Sequence, residues 1–368
     1  MYLKSLNFSN FKNLEQVDID CSSVLNCFVG NNGEGKSNLL DGIYYLSMCK
    51  SKFTSVDNYN IRDNEDYLIL KGVYNKQQEE EIAHCGIKRN GKKSFKYNSK
   101  EYKKLSDHIG VIPLVFITPS DTSLINNGSD ERRKFMNAVI SQTDKQYLDA
   151  LLRYHNLLIN RNKILKKKTS EIDFSFVDTL DEQMSLYGEI IYTKRKKMME
   201  TFLPVFREVY NAISAEKELI NLSYNSDIEK GDMNTLLKKS LERDCLLQHT
   251  TVGIHRDDIV MELNNRPLRT SGSQGQQKTY LIAMKMAQFN IIKNHSGIAP
   301  ILLLDDIFDK LDTERVERLI SFVTENGFGQ IFLTDSNKNR LDKLLQKTAA
   351  NYKLFNVTSG NVSLIQQS

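Results

Sequence analysis

No apolar run in this chain approaches membrane-spanning length, and residues 1–20 alternate polar and apolar side chains without the apolar centre of a signal peptide. Cysteine is scarce: Cys21, Cys27, Cys49, Cys85 and Cys245 are odd in number, widely spread and never spaced C-x-x-C. That pattern argues against a disulfide framework or a zinc site and fits reduced thiols. The six histidines show no metal-ligand spacing. No internal repeat, low-complexity stretch or sustained heptad is present, so a long coiled-coil arm is not expected. Together these absences lead us to expect a soluble, cytoplasmic protein.

The bulk composition is that of a globular chain: 40% hydrophobic and 26% charged residues over 368 positions. Such a length suggests two domains, or one domain with a large insertion. The net charge of +4 is compatible with nucleic acid, but where the charge lies matters more than its total.

The most informative stretch is Gly30-Asn31-Asn32-Gly33-Glu34-Gly35-Lys36-Ser37, which fits G-x-x-x-x-G-K-[ST], the Walker A phosphate loop of nucleotide triphosphatases. A buried strand, Val24 to Val29, precedes it, and helical spacing of Leu40, Ile43 and Tyr44 follows. Glycines let backbone N–H groups converge on phosphate oxygens, and a helix N-terminus adds positive potential. Lys36 is placed to reach the β- and γ-phosphates and Ser37 to hold Mg²⁺.

Around this loop the pattern predicts two short strands within 1–20 that turn at Asn13. Strands are also expected at Tyr67–Tyr74, Glu81–Lys88 and Ser94–Tyr97, with a hairpin at Asn90-Gly91, and at Val111–Thr118. From Ser129, a candidate cap, the character is helical. Helices are expected over about 145–168 and 176–213, the latter broken or bent near Pro204. This lobe carries two basic clusters, Arg153 to Lys168 and Lys194 to Lys197. Of these, Arg153, Arg161, Lys166, Lys167, Lys168, Lys194 and Arg195 are candidate DNA contacts, although a solvated helix face explains either cluster alone.

After about Thr250 strands and helices alternate, which predicts a mainly parallel sheet that includes the phosphate-loop strand. Ile301 to Leu304 ends in Asp305-Asp306. Asp305 is the candidate Mg²⁺ ligand, and Asp306 the candidate group to orient or deprotonate an attacking water. Asp312 is a D-loop candidate and also a plausible helix cap. Ser271-Gly272-Ser273-Gln274-Gly275-Gln276 opens an apolar helix, so it reads either as a capping loop or as a second anion site at a helix N-terminus. After Asp335 about one strand and a short helix are expected.

The order of these motifs resembles an ABC-type ATPase head of the SMC class, and more closely the RecF family of bacterial recombination mediators. The resemblance covers most of the chain. It rests on Asn10-Phe11-Lys12-Asn13, Gly30 to Leu40, Gly128 with Arg132-Arg133 and Phe135, Arg161-Asn162 with Leu165-Lys166, Gly253 to Asp258, and Gly272 to Thr279. The chain departs from the family pattern at Lys12, at Ile254 and at Ser120, where arginine, proline and a P-E-D segment are usual. Lysine lacks the planar fork of arginine.

The resemblance implies an α/β head of ABC/SMC type, with a P-loop parallel sheet and a β-rich subdomain over 1–118 and 250–368, split by a helical lobe over 119–249. It implies ATP and Mg²⁺ as cofactors, and an ATP-dependent homodimer in which each signature loop meets the partner's nucleotide. It also implies binding to duplex DNA near single-strand gaps, and RecO- and RecR-type partners for recombinase loading. Aspartate at 306 and no histidine after Thr334 argue for slow hydrolysis, with ATP used mainly as a switch. The competing readings are an SMC-type nucleotide scaffold, an anti-phage ATPase and a transporter subunit.

Overall fold

The computed structural model describes residues 1–214, 218–307, 318, 322, 327–338, 341 and 351–367. In chain order these carry β1 (Tyr2–Phe11), β2 (Leu14–Asp20), β3 (Leu25–Val29), α1 (Lys36–Met48), β4 (Tyr67–Lys76), β5 (Glu79–Lys88), β6 (Lys93–Tyr97), β7 (Lys100–Glu101) and β8 (Leu114–Ile117). Next come α2 (Ser123–Asn126), α3 (Ser129–Ser141), α4 (Lys145–Leu165), α5 (Phe174–Ile213), β9 (Ile220–Asn225), α6 (Met233–Leu247), β10 (Asp258–Leu263), β11 (Arg266–Pro267) and α7 (Leu268–Ser271). The last described elements are α8 (Gln274–Ser296), β12 (Ile301–Asp305), β13 (Ile331–Asp335), β14 (Tyr352–Thr358) and β15 (Asn361–Gln367).

Contacts divide the chain into two compact units. The first contains Met1–Asp121, Val209–Ala215 and Lys278–Ser368, and the second Thr122–Glu208 and Glu216–Gln277. The return to the first unit therefore falls at 278, where the sequence suggested 250. The intervening residues group with the second unit because β10 pairs with β9, a strand inside the stretch read as helical.

In the first unit, one six-stranded sheet has the order β15-β14-β3-β13-β12-β8. All its pairs are parallel except β14 with β15. Strands covered on both faces need no polar alternation, and every residue of β12 and β13 is buried. Phe28 on β3 stacks against Phe355 and Phe332 on its two neighbours, with ring centroids 5.2 and 6.4 Å apart. The other sheet, β2-β1-β4-β5-β6-β7, is antiparallel. Its pleat shows in β4, where Leu68, Leu70 and Tyr74 are buried while Tyr67 and Lys71 are exposed. Two strands, β14 and β15, follow Asp335 where one was expected, and the strand read over 111–118 is confined to β8.

The second unit combines helices with the small sheet β11-β10-β9. Gly128, not Ser129, occupies the cap position of α3. Asp144 caps α4 by accepting the Tyr147 N–H at 2.9 Å. The 40-residue α5 continues through Pro204, where a break or bend was expected.

Two arginines proposed from sequence as DNA contacts lie inside this unit. Arg161 is 0% exposed and donates to Asp181 at 2.6 Å, Asp244 at 2.7 Å and the Thr250 hydroxyl at 2.9 Å. Arg195 is 1% exposed and donates to Asp257 at 2.6 Å and to the Ile254 carbonyl at 2.7 Å. Both are withdrawn from the DNA set, because their donors are consumed by internal acceptors and shielded from any phosphate. They explain the Gly253 to Asp258 motif instead. Asp257 receives Arg195, while Asp258 receives the fork of Arg132, whose Nη2 lies 3.0 Å from Oδ2. Gly253, at φ 120, supplies a backbone conformation that L side chains resist.

His255 belongs to the same latch. Its ring nitrogens lie 2.8 Å from the Tyr154 hydroxyl and 3.1 Å from the Thr250 carbonyl. The neutral Nε2–H tautomer satisfies both, donating to Thr250 and accepting from Tyr154. Burial, which disfavours the imidazolium, holds its pKa down at about 4, with the nearby Arg256 and Arg133 acting in the same direction.

Two expectations follow from these buried groups. Arg161→Ala leaves two buried carboxylates without their cation and should destabilise the chain by about 3–5 kcal/mol. A urea midpoint that corresponds to less than ~1 kcal/mol of loss would refute the pairing. The unfolded chain takes up the His255 proton near the ordinary imidazole value, so the stability from keeping it neutral is full above pH 6.5. That stability falls between pH 6.5 and about 4. The loss amounts to about 3 kcal/mol. His255→Gln should flatten the slope of denaturation midpoints across that window, and parallel slopes in the two proteins would contradict it.

Candidate functional site

β3 delivers the chain into the phosphate loop, and α1 begins at Lys36. Gly35 stands at φ 113, and a Cβ on it would lie 2.9 Å from the Asn13 side chain, so both backbone and space require glycine there. Lys36 Nζ donates to the loop's own carbonyls, Gly30 O at 2.6 Å and Asn31 O at 2.8 Å. Burial lowers the Lys36 pKa from the usual lysine value, while Asp306 and Asp305 oppose that shift. Asn31, Asn32 and Gly33 are exposed, and Glu34 is partly so.

The acidic strand meets this loop directly. Ser37 Oγ donates to Asp305 Oδ1 at 2.9 Å, and Thr334 Oγ1 donates to the same oxygen at 2.7 Å. Burial raises the Asp305 pKa, opposed by the hydrogen bonds from Thr334 and Ser37. Asp306 N–H donates to Thr334 Oγ1 at 3.0 Å, and Asp306 itself sits at φ 45, a left-handed conformation that costs of order 1 kcal/mol for a residue other than glycine. Thr334 thus connects the Asp305 carboxylate to the Asp306 backbone. Sequence reasoning passed over it because its role depends on β13 lying beside β12, where Thr334 faces Asp305 in register.

Ser37 and Asp305 offer hard oxygen donors of the kind Mg²⁺ takes. Among the described residues no three His, Cys, Asp or Glu side chains form a metal-binding group. An ion here would take few protein ligands and complete its shell with phosphate and water, the usual Mg²⁺ arrangement.

The Ser271 to Gln276 loop lies in the second unit. Ser273 N–H donates to Gln276 Oε1 at 2.7 Å, and Gln276 N–H donates to Ser273 Oγ at 3.2 Å, a reciprocal capping box opening α8. The capping function is therefore realised. Ser271, Ser273 and Gln274 are nevertheless exposed, and Gly272 and Gly275 partly so. Asp312 lies outside the described residues.

Of the remaining basic candidates, Lys166, Lys167 and Lys168 are exposed at the end of α4. Arg153 is exposed and paired with Asp149 at 2.7 Å, an i,i+4 surface pair of small energetic weight. Lys194 is partly buried and held by Asp144 at 2.5 Å. Lys12, which occupies a usual arginine position of the family pattern, pairs with the buried Asp41 at 2.6 Å.

The RecF/RecN/SMC N-terminal domain model matches residues 2–362. Two relatives described as DNA replication and repair protein RecF are each 47% identical to the chain. The one from Phocaeicola vulgatus aligns over 99% of this chain and 98% of its own, and the one from Bacteroides fragilis over 100% and 99%. A solved structure of the recombination mediator RecF with ATP in the RecFOR pathway superposes with a TM-score of 0.88 at 29% identity, covering 99% of this chain and 98% of that one. An SMC head bound to a winged-helix domain of ScpA has a TM-score of 0.60 at 15% identity, a likeness of fold alone. No helix among the described residues is long and apolar enough to cross a membrane. With the phosphate loop, the acidic strand and a match along nearly the whole length in agreement, this chain belongs to the RecF family of DNA replication and repair proteins and has the ATPase-head fold of the RecF/RecN/SMC class.

Proposed function

We propose that this chain is an ATP-switched recombination mediator: ATP closes a homodimer, the closed form binds duplex DNA near a single-strand gap, and RecO- and RecR-type proteins are recruited for recombinase loading. The observation that carries the reading is the hydroxyl–carboxylate–hydroxyl chain of Ser37, Asp305 and Thr334, which joins the phosphate loop to the acidic strand. The full-length relatives support the repair setting.

Within this reading the Gly30 to Gly35 backbone and Lys36 cradle the phosphates, and Ser37 and Asp305 hold Mg²⁺, which would neutralise phosphate charge. Asp306 orients the attacking water. Its short side chain and the absence of a histidine after Thr334 favour slow turnover, so hydrolysis serves as the release step. The exposed Ser273 loop meets the partner's nucleotide. DNA contacts fall to the exposed Arg153, Lys166, Lys167 and Lys168, with Lys194 needing first to leave Asp144.

Lys36→Ala should lose ATP affinity and ATP-dependent dimerisation together, read by nucleotide titration and by sedimentation; retained ATP-dependent dimers would sink the site assignment. Ser273→Arg should leave ATP binding by the monomer intact, block the dimer by clash and charge, and remove ATP-dependent tightening on labelled gapped duplex at fixed salt. DNA binding that is equal with and without ATP in the unsubstituted protein would overturn the clamp.

A further inference from the structure

The phosphate loop carries a carboxylate, Glu34, in a segment whose chemistry is to receive polyanions. Left to point at a triphosphate, that charge would weaken binding. The structure directs it elsewhere. The Glu34 carboxylate accepts the backbone N–H of Ser359, and the Glu34 carbonyl accepts that of Gly360 at 3.0 Å. Both donors belong to the turn joining β14 to β15.

That turn has little freedom to stand anywhere else. Gly360 is at φ 80, and a Cβ on it would lie 2.2 Å from the Asn13 carbonyl oxygen. Asn13 in turn accepts from Asn38 Nδ2 at 2.8 Å, and its own Nδ2 lies 3.4 Å from the Gly33 carbonyl. At the start of the loop, a Cβ on Gly30 would lie 2.2 Å from the Val357 carbonyl of β14. The loop is thus held at its beginning by β14, at its middle by the Ser359-Gly360 turn, and at its end by the Asn13 turn.

We propose that Glu34 is a positioning residue that clasps the phosphate loop to the β14–β15 turn, so that ATP affinity depends on a hairpin at the far end of the chain. The proposal rests on the reading of Gly30 to Ser37 as the ATP site. The clasp holds the loop's N–H groups in the curled form that phosphate needs, and it keeps the carboxylate off the incoming anion.

Charge and clasp predict opposite signs, which makes the role testable on the full chain. Removing the carboxylate for its charge alone should tighten ATP binding. Removing the acceptor that holds the loop should weaken it. ATP titration is measured for the unsubstituted protein, Glu34→Gln, Glu34→Ala and Lys36→Ala, with the nucleotide-free melting temperature of each as a check on folding. Glu34→Gln keeps an acceptor for the Ser359 N–H and loses the charge, so it should bind at least as tightly as the unsubstituted protein. Glu34→Ala should bind about three- to tenfold more weakly, as expected for the typical net contribution of one hydrogen bond, with a melting temperature only slightly lowered. Alanine that binds as tightly as glutamine, or glutamine as weak as alanine, overturns the clasp. Failure of the underlying ATP reading has a different signature: no binding by the unsubstituted protein, or undiminished binding by Lys36→Ala.

Discussion

One carboxylate oxygen, Oδ1 of Asp305, organises the first unit. It receives hydroxyl hydrogen bonds from Ser37 at the start of α1 and from Thr334 at the end of β13. Those two residues reach it only if β3, β13 and β12 lie side by side and in one register, so the site is a readout of strand order. The same carboxylate is buried, and burial raises its pKa. A buried carboxylate is tolerable when hydrogen bonds or a cation compensate its lost hydration. The two hydroxyls provide part of that compensation, and a bound divalent cation would supply much more. Under the proposed reading of the site, polar groups that are costly to bury would be what prepares it for a ligand.

The second unit solves a different problem with the same currency of buried charge. Arg161 and Arg195 are surrounded by Asp181, Asp244 and Asp257, at positions where apolar side chains would pack at lower desolvation cost. Each arginine ties together segments far apart in sequence: α4 with α5 and α6, and α5 with the Gly253 to Asp258 loop. Such pairs are geometrically demanding, since a guanidinium fork satisfied by several acceptors fixes distance and orientation together. They specify one arrangement of helices, and they leave Arg153 and the lysines at the end of α4 among the basic residues facing solvent.

The legible parts of the sequence were those whose signal is local. The phosphate loop, the apolar strand ending in Asp305-Asp306 and the alternation of β4, β5 and β10 each carry their pattern within a few residues. Helix α5 was legible for the same reason, although Pro204 suggested a break that neighbouring turns override. What stayed hidden depended on long-range pairing. β9 is a six-residue strand made stable by β10, and nothing within Ile220 to Asn225 announces that partner. Thr334 needed the strand order, and the Ser359-Gly360 turn needed to be brought to a loop at the other end of the chain. Basic residues misled most: Arg161 and Arg195 share their helices with exposed lysines, and composition alone does not tell a buried guanidinium from a solvated one.

The order of the parallel sheet also constrains how the protein comes into being. β3 is made within the first thirty residues, yet both its neighbours, β13 and β14, come roughly 300 residues later. At about 5–20 residues per second, a ribosome takes on the order of 15–60 s to produce them. During that interval β3 lacks both of its native strand neighbours, while all the strands of the antiparallel sheet, β1, β2 and β4 to β7, are made within the first hundred or so residues. The N-terminal half must therefore persist as a partly folded nascent chain with an unpaired apolar strand, and the phosphate loop acquires its final shape only when the last hairpin arrives.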